Sequence, residues 1–495
     1  MDLSSRIPAR QSDSLDPEDW EETRTTAHRM VDDMIDYLSS VRSRPAWQTV
    51  PPEVREALAQ DLPRRGTSLA SVYDEFRDTI LPYPTGNLHP GFFGWVMGTG
   101  TFTGAMADAL AATMNAHVAG YDQSASIVER QVIEWLSELV GFPRTSSGLL
   151  VSGGTMANLN GVAVARQEKA GFDIRTHGLQ ADGAPRLRLY GSAETHSWIY
   201  KACELMGMGR DAFRAVPVNS EFQIDVEACR HMIEADRETG DRPFCLLGTV
   251  GSVNTGAIDD LHALRQLADE FGLWLHLDGA FGALAAWSPE TKHLVDGQEL
   301  ADSIAFDLHK WGYMPYDVGC ILTRHSTAQD QTFGQKASYL SPMSRGLAVG
   351  MTYFADKGLQ LTRSFRALKV WMSLKEQGVD RIGHAISRNV EQARYLEQLI
   401  LAHPDLETLA PVSLNAVCYR VVRPGWQEEA LASLNEEVLL RIQESGSAVP
   451  SHTYLHGRFA IRVCITNHRT QLTDLDRLVS DTVRHAHDAA AALGL

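Results

Sequence analysis

Four short segments of this chain bring together residue types that do chemistry. Asp307-Leu308-His309-Lys310-Trp311 places an amine directly after an apolar run. Burial there lowers an ammonium pKa from its usual ~10.4 toward neutrality, and the free amine is a nucleophile able to condense with a carbonyl. Leu277-Asp278-Gly279-Ala280 ends a second apolar run in a carboxylate followed by two small residues. A carboxylate so placed keeps a protonated ring nitrogen charged, and the small residues let a flat ring approach the backbone. Val151-Ser152-Gly153-Gly154-Thr155 precedes a helical pattern over 157–170. Free N–H groups at such a glycine-rich helix start, with the helix dipole behind them, suit a phosphate. His196, in Ser192-Ala193-Glu194-Thr195-His196-Ser197-Trp198, follows a third run and offers an imidazole for ring stacking and proton transfer.

Taken singly, each segment has a plain structural explanation. A strand-end lysine snorkels to water, an aspartate after a strand caps a helix, Gly-Gly-Thr makes a tight turn, and a loop histidine is solvated. As an ordered series of phosphate turn, stacking ring, carboxylate and lysine they match the needs of pyridoxal 5′-phosphate (PLP), whose pyridinium is an electron sink. The turn lacks the lysine of a P-loop and the third glycine of a dinucleotide fingerprint, so ATP and NAD fit poorly.

These segments need a scaffold. Apolar runs at 187–191, 244–251, 273–278, 303–307 and 319–323 read as strands, and Leu261, Leu264, Leu267, Ala268 and Phe271 form a helical stripe between two of them. Such alternation predicts an α/β fold with a mainly parallel sheet, ligands binding at the carboxyl ends of its strands. Before it, the pattern predicts amphipathic helices over 24–44 and around Leu69, Val72, Phe76 and Ile80. Two helices with one apolar face each must dock on the rest of the chain or on a partner subunit. After about residue 372 the order is helix, strand, helix, strand and helix, as in a small α+β domain. The expected division is an N-terminal helical segment at 1–95, a large domain at 96–371 and a small domain at 372–495. The stretch 327–362 shows no clear period, a property of functional loops.

Composition narrows the function classes. The 495 residues are 44% hydrophobic and 22% charged, and 45 Lys plus Arg against 62 Asp plus Glu give a net charge of −17. That balance argues against nucleic acid and anionic membrane as partners. The six cysteines include no C-x-x-C pair, so neither a zinc site nor a disulfide framework is expected. A start mixing Arg6, Arg10, Asp13 and Asp16 does not read as a secretory signal, no apolar run approaches a membrane span, and the cytoplasm is the expected compartment.

The chain resembles the group II PLP-dependent amino-acid decarboxylases, a family that includes the aromatic-L-amino-acid and glutamate decarboxylases. The resemblance runs from His89-Pro90-Gly91-Phe92-Phe93 to Ile461-Arg462-Val463, and is strongest in the Ser-Gly-Gly-Thr turn, His196-Ser197, His276-Leu277-Asp278-Gly279-Ala280, His309-Lys310-Trp311 and 365–371. It implies the PLP transferase fold type I, like that of aspartate aminotransferase, an obligate homodimer with its N-terminal helices wrapped on the partner, and decarboxylation of an amino acid, aromatic favoured. By resemblance Lys310 holds the cofactor as a Schiff base, Asp278 pairs with the pyridinium, His196 stacks on the ring and Ala280 lies under it. Gly153, Gly154 and Thr155 bind the phosphate, with Asp307 and His309 completing that shell. Tyr339, in Ala337-Ser338-Tyr339-Leu340, matches the loop tyrosine that returns a proton after carbon dioxide leaves.

The chain also departs from the family. Val96-Met97-Gly98 replaces the Phe-Pro-Thr of the animal aromatic enzymes, Ser252 and Val253 stand where those carry threonines, and Met156 stands for a frequent glutamate. Tyr121-Asp122-Gln123-Ser124 is similar to the diaminobutyrate decarboxylases instead. These departures leave the substrate side chain open. An aminotransferase, a carbon–carbon lyase or a non-catalytic binding protein of the same fold are the alternative readings.

Overall fold

The computed structural model describes residues 14–335, 343–349 and 352–493. Its centre is a seven-stranded sheet of β1 (Ser147–Val151), β2 (Leu187–Ser192), β3 (Phe213–Val216), β4 (Arg242–Thr249), β5 (Trp274–Asp278), β6 (Ser303–Asp307) and β7 (Gly319–Thr323), in the order β1-β7-β6-β5-β4-β2-β3. From β3 to β6 the neighbours are parallel, and β7 runs antiparallel between β6 and β1. The link from β6 to β7, residues 308–318, contains no crossover helix, which permits the reversal. That link carries His309 and Lys310.

Helices cover both faces, so every residue of β1, β2, β5, β6 and β7 is buried. The helix Leu261–Phe271 shows how local signals set an element. Asp260 caps its start by accepting from the Ala263 N–H, Gly272 ends it in the left-handed region at φ 70°, and the predicted stripe is its buried face. This helix packs in the main core with Leu246, Leu275 and Leu277, while Leu159, Val162, Val164 and Ala165 of the helix Gly154–Lys169 pack in a separate cluster with Leu187, Leu189 and Trp274.

A second sheet, in the order β10-β11-β9-β8, is antiparallel throughout: β8 (Leu406–Thr408), β9 (Ala416–Val421), β10 (Ser451–Leu455) and β11 (Arg458–Cys464). Helices Glu428–Glu444 and Leu472–Leu493 pack on it. The helix Val379–Leu401 joins the two units, with Ile382, Ile386 and Val390 in the main core and Ala393, Leu396 and Ile400 in the second. Phe93 also belongs to the second core, and its N–H donates to the Val449 carbonyl at 2.9 Å.

At the N-terminal end the helix Trp20–Ser39 packs on Leu69–Glu75, where the Tyr73 hydroxyl donates to Asp33 at 2.7 Å and Arg29 lies over the Tyr73 ring. The predicted helix to residue 44 stops at Ser39, because the chain turns into a short 3-10 segment, Val41–Ser43, that still buries Val41. Among the described residues nothing covers the apolar faces: Val31, Ile35, Leu69, Val72, Phe76 and Ile80 are exposed. The stretch 327–362 is not wholly irregular, since it begins with a helix, Ala328–Phe333, and contains a helical turn at Phe354–Lys357. Among the described residues no helix is long and apolar enough to cross a membrane.

Candidate active site

The carboxyl ends of β1, β2, β5 and β6 open on one cavity of about 510 Å³. The turn after β1 brings Ser152, Gly153, Gly154 and Thr155 to its wall. No side chain caps the start of the helix Gly154–Lys169, whose first N–H groups therefore remain available to an anion. The glycines are needed for space: a Cβ on Gly153 would lie 3.2 Å from the His309 ring, and one on Gly154 2.9 Å from Asp307 Oδ2.

Asp278 ends β5 and is held on two sides. Its Oδ2 accepts from the indole N–H of Trp198 at 2.6 Å, and its Oδ1 from the Ala280 N–H at 3.1 Å. Behind it His276 sits within 2.8 Å of both Asn158 Oδ1 and Ser303 Oγ, and burial pushes its pKa down to about 4. This neutral ring ties the first turns of the helix Gly154–Lys169 to β5 and β6, fixing the phosphate turn relative to the carboxylate.

After β2, Glu194, His196 and Trp198 face the same cavity. His196 Nδ1 accepts from the Trp198 backbone N–H at 3.2 Å, and burial by the cavity walls lowers its pKa. With Nδ1 an acceptor, the neutral ring carries its proton on Nε2.

After β6, Lys310 Nζ lies 3.1 Å from Asp307 Oδ2. Asp307, expected in the phosphate shell, therefore touches Lys310 as well as lining the cavity beside the glycine turn. Its Oδ1 is buried with no protein hydrogen-bond partner. His309 packs on Tyr316 at 4.5 Å between ring centroids, with Nδ1 3.0 Å from the Val318 carbonyl oxygen. Burial lowers the His309 pKa, so this ring adds no fixed charge.

Gly153, Gly154, Thr155, His196, Asp278, Ala280, Asp307, His309 and Lys310 all line this cavity. Tyr339 lies outside the described residues. Three further wall residues, Trp198, Glu194 and Tyr316, were not singled out by sequence pattern. An indole N–H two positions from His196 was a weak signal for the first, but its reach to a carboxylate eighty positions later is visible only in three dimensions. The donor set fits PLP: an uncapped helix start for a dianion, a doubly held carboxylate for a pyridinium, an amine, and a buried orphan oxygen on Asp307 beside them.

Residues 51–422 match the model of the pyridoxal-dependent decarboxylase conserved domain. An aromatic-L-amino-acid decarboxylase of Bacillus atrophaeus is 32% identical over 461 residues, covering 92% of this chain and 93% of that protein. Tryptophan decarboxylase 2 of Oryza sativa subsp. japonica is 29% identical over 460 residues, covering 91% and 92%. The crystal structure of Oryza sativa TDC with PLP and tryptamine superimposes with a TM-score of 0.87 at 25% identity, over 96% of this chain and 99% of that one. A family match over most of the chain, on a fold whose cavity has the groups that PLP requires, makes this chain a member of the pyridoxal-dependent decarboxylase family.

Proposed function

We propose that this chain removes the α-carboxyl group of an aromatic L-amino acid as carbon dioxide and releases the amine. The observation that carries the reading is one cavity holding Lys310, Asp278 and an uncapped helix start together with apolar wall residues Trp95, Val96, Met97, Val253 and Phe281. The names of the relatives support an aromatic side chain.

When bound, PLP supplies an electron sink for the pair left behind as the bond to the carboxyl carbon breaks. Lys310 would hold it covalently until a substrate amine takes its place, and the N–H groups at Gly154 and Thr155 would take its phosphate. Asp278, oriented by Trp198 and Ala280, would pair with the pyridine nitrogen and keep it protonated. Asp307, 3.1 Å from Lys310 Nζ, would orient that nitrogen. His196, a neutral donor through Nε2, is placed to orient the substrate. Return of a proton to the substrate α-carbon is assigned to Tyr339 on the strength of the family resemblance, with His196 the alternative donor.

The apolar faces left open at Val31, Ile35, Leu69, Val72, Phe76 and Ile80 support a homodimer that covers them with a second copy. Six unpaired, buried cysteines support a reducing compartment, the cytoplasm. A division into 1–95, 96–371 and 372–495 is supported by the distinct core under the antiparallel sheet, with Ile382, Ile386 and Val390 of the last part reaching into the main core.

Carbon dioxide release from a panel of aromatic, acidic and basic L-amino acids tests the proposal. Release with stoichiometric amine from an aromatic member is expected. Keto acid in place of carbon dioxide would make the chain an aminotransferase.

A further inference from the structure

We propose that Glu194 is a specificity-determining residue, its free carboxylate oxygen accepting a hydrogen bond from an O–H or N–H on the ring of an aromatic substrate. This rests on the aromatic decarboxylase reading above and specifies which aromatic side chains the cavity prefers.

Three carboxylates line the cavity, and two are committed. Asp278 is held by Trp198 and Ala280, and Asp307 is paired with Lys310. Glu194 is held at one oxygen, where Oε2 accepts from the Asn254 side-chain amide at 2.7 Å. Its Oε1 has no hydrogen-bond or ion-pair partner among the described residues.

The orientation of Glu194 is imposed from the small domain. Thr453 on β10 donates to Asn254 Oδ1 at 2.9 Å, and the Asn254 amide N–H in turn donates to Glu194. Arg462 on β11 fixes the same residue through its backbone carbonyl at 2.9 Å, and also donates to the Trp95 carbonyl at 2.6 Å. The same cavity is also lined by the apolar Trp95, Val96, Met97 and Val253. A half-buried carboxylate with one oxygen unpaired favours a substrate that brings a donor, because a bound ring without one covers that oxygen and leaves it unpaired. An acidic side chain would meet like charge and is rejected. Tyrosine and other hydroxylated rings, or an indole, provide the donor that phenylalanine lacks.

The test is the ratio of kcat/KM for L-tyrosine and for L-tryptophan to that for L-phenylalanine, in the holoenzyme and in Glu194→Gln. With Asn254 still donating, the amide oxygen of the variant faces it and an NH₂ replaces the acceptor in the cavity; Glu194→Leu, which offers no acceptor in either orientation, is measured alongside and is expected to lower the ratio equally. At least one ratio is expected to fall by about tenfold or more. A fall for tyrosine alone identifies a phenol as the donor, and a fall for tryptophan alone an indole. Ratios unchanged by the substitution would overturn the inference while leaving decarboxylation intact.

If no aromatic amino acid is decarboxylated, the functional reading fails, and binding still decides this inference. Tyramine, tryptamine and phenethylamine are titrated into the wild-type holoprotein and followed by cofactor absorbance. Tighter binding of tyramine or tryptamine than of phenethylamine, weakened in Glu194→Ala, supports it. Equal affinities overturn it.

Discussion

Replacing Asp278 by asparagine keeps the volume of the side chain and reverses part of its hydrogen bonding. The carboxylate accepts from two N–H groups, Trp198 Nε1 at 2.6 Å and Ala280 N at 3.1 Å. An amide has one acceptor oxygen, so its NH₂ must face one of these donors. A buried donor left unpaired costs about 1–3 kcal/mol. The amide also cannot hold a pyridinium proton, and loss of one such electrostatic partner lowers kcat by about 10²-fold or more. The two effects separate in a double-mutant cycle with Trp198→Phe. In the wild-type background this second change removes a charge-assisted hydrogen bond and destabilises by about 1.5–3 kcal/mol. Combined with Asp278→Asn it removes the donor–donor conflict, so it is expected to be neutral or stabilising while activity stays low. Urea midpoints give the stability terms and carbon dioxide release gives the rate. Activity of Asp278→Asn within about threefold of wild type, or equal cost of Trp198→Phe in both backgrounds, would refute the reasoning.

Three further outcomes are expected. Gly154→Ala pushes a methyl group toward Asp307 Oδ2, 2.9 Å from the new Cβ, and should weaken PLP affinity by about tenfold with the far-ultraviolet spectrum unchanged; equilibrium dialysis checks it. His276 titrates at about 4 when folded against 6.5 when exposed. Below pH 6.5 the unfolded chain takes up this proton and the folded chain does not, so stability falls as pH drops from 6.5 to about 4 and this loss levels off below that. Its contribution is at most about 3 kcal/mol, and His276→Gln should give a shallower dependence of the urea midpoint on pH across that interval. Tyr339→Phe deletes the assigned proton donor, so the unprotonated α-carbon would react with dissolved oxygen and give aldehyde, ammonia and hydrogen peroxide in place of amine; amine formed at an unchanged rate would leave His196 as the donor.

Much of this architecture was legible because its signals are local. The runs ending in Asp278 and Asp307, and the run starting at Gly319, coincide with strands buried on both faces, where apolarity is continuous. β1 was missed because Gly148 breaks a five-residue strand, and β3 because it has four residues with Arg214 and Ala215 not buried. The helix after the phosphate turn begins at Gly154, three residues before the pattern suggested, since its first turn is written in glycine and threonine. The expected cavity residues were legible as motifs at strand ends. Trp198 and Glu194 were not, because each acquires its role from a partner far along the chain, Asp278 for one and Asn254 for the other. The pairing of Lys310 with Asp307 was likewise hidden: both lie in one motif, but their side chains meet only after β6 ends and the chain turns.

The placement of the cofactor on Lys310 is the claim on which the site depends. Among the described residues, Lys357 and Lys369 are also largely buried, but the first is paired with Asp330 and the second with Asp108, and neither lines the cavity. Borohydride reduction of the holoprotein, followed by peptide mass mapping, locates the attachment directly. A single reduced pyridoxyl adduct is expected on the peptide containing Lys310, lost in Lys310→Ala. An adduct on Lys357, Lys369 or any other residue, or one that persists in the variant, would contradict this placement.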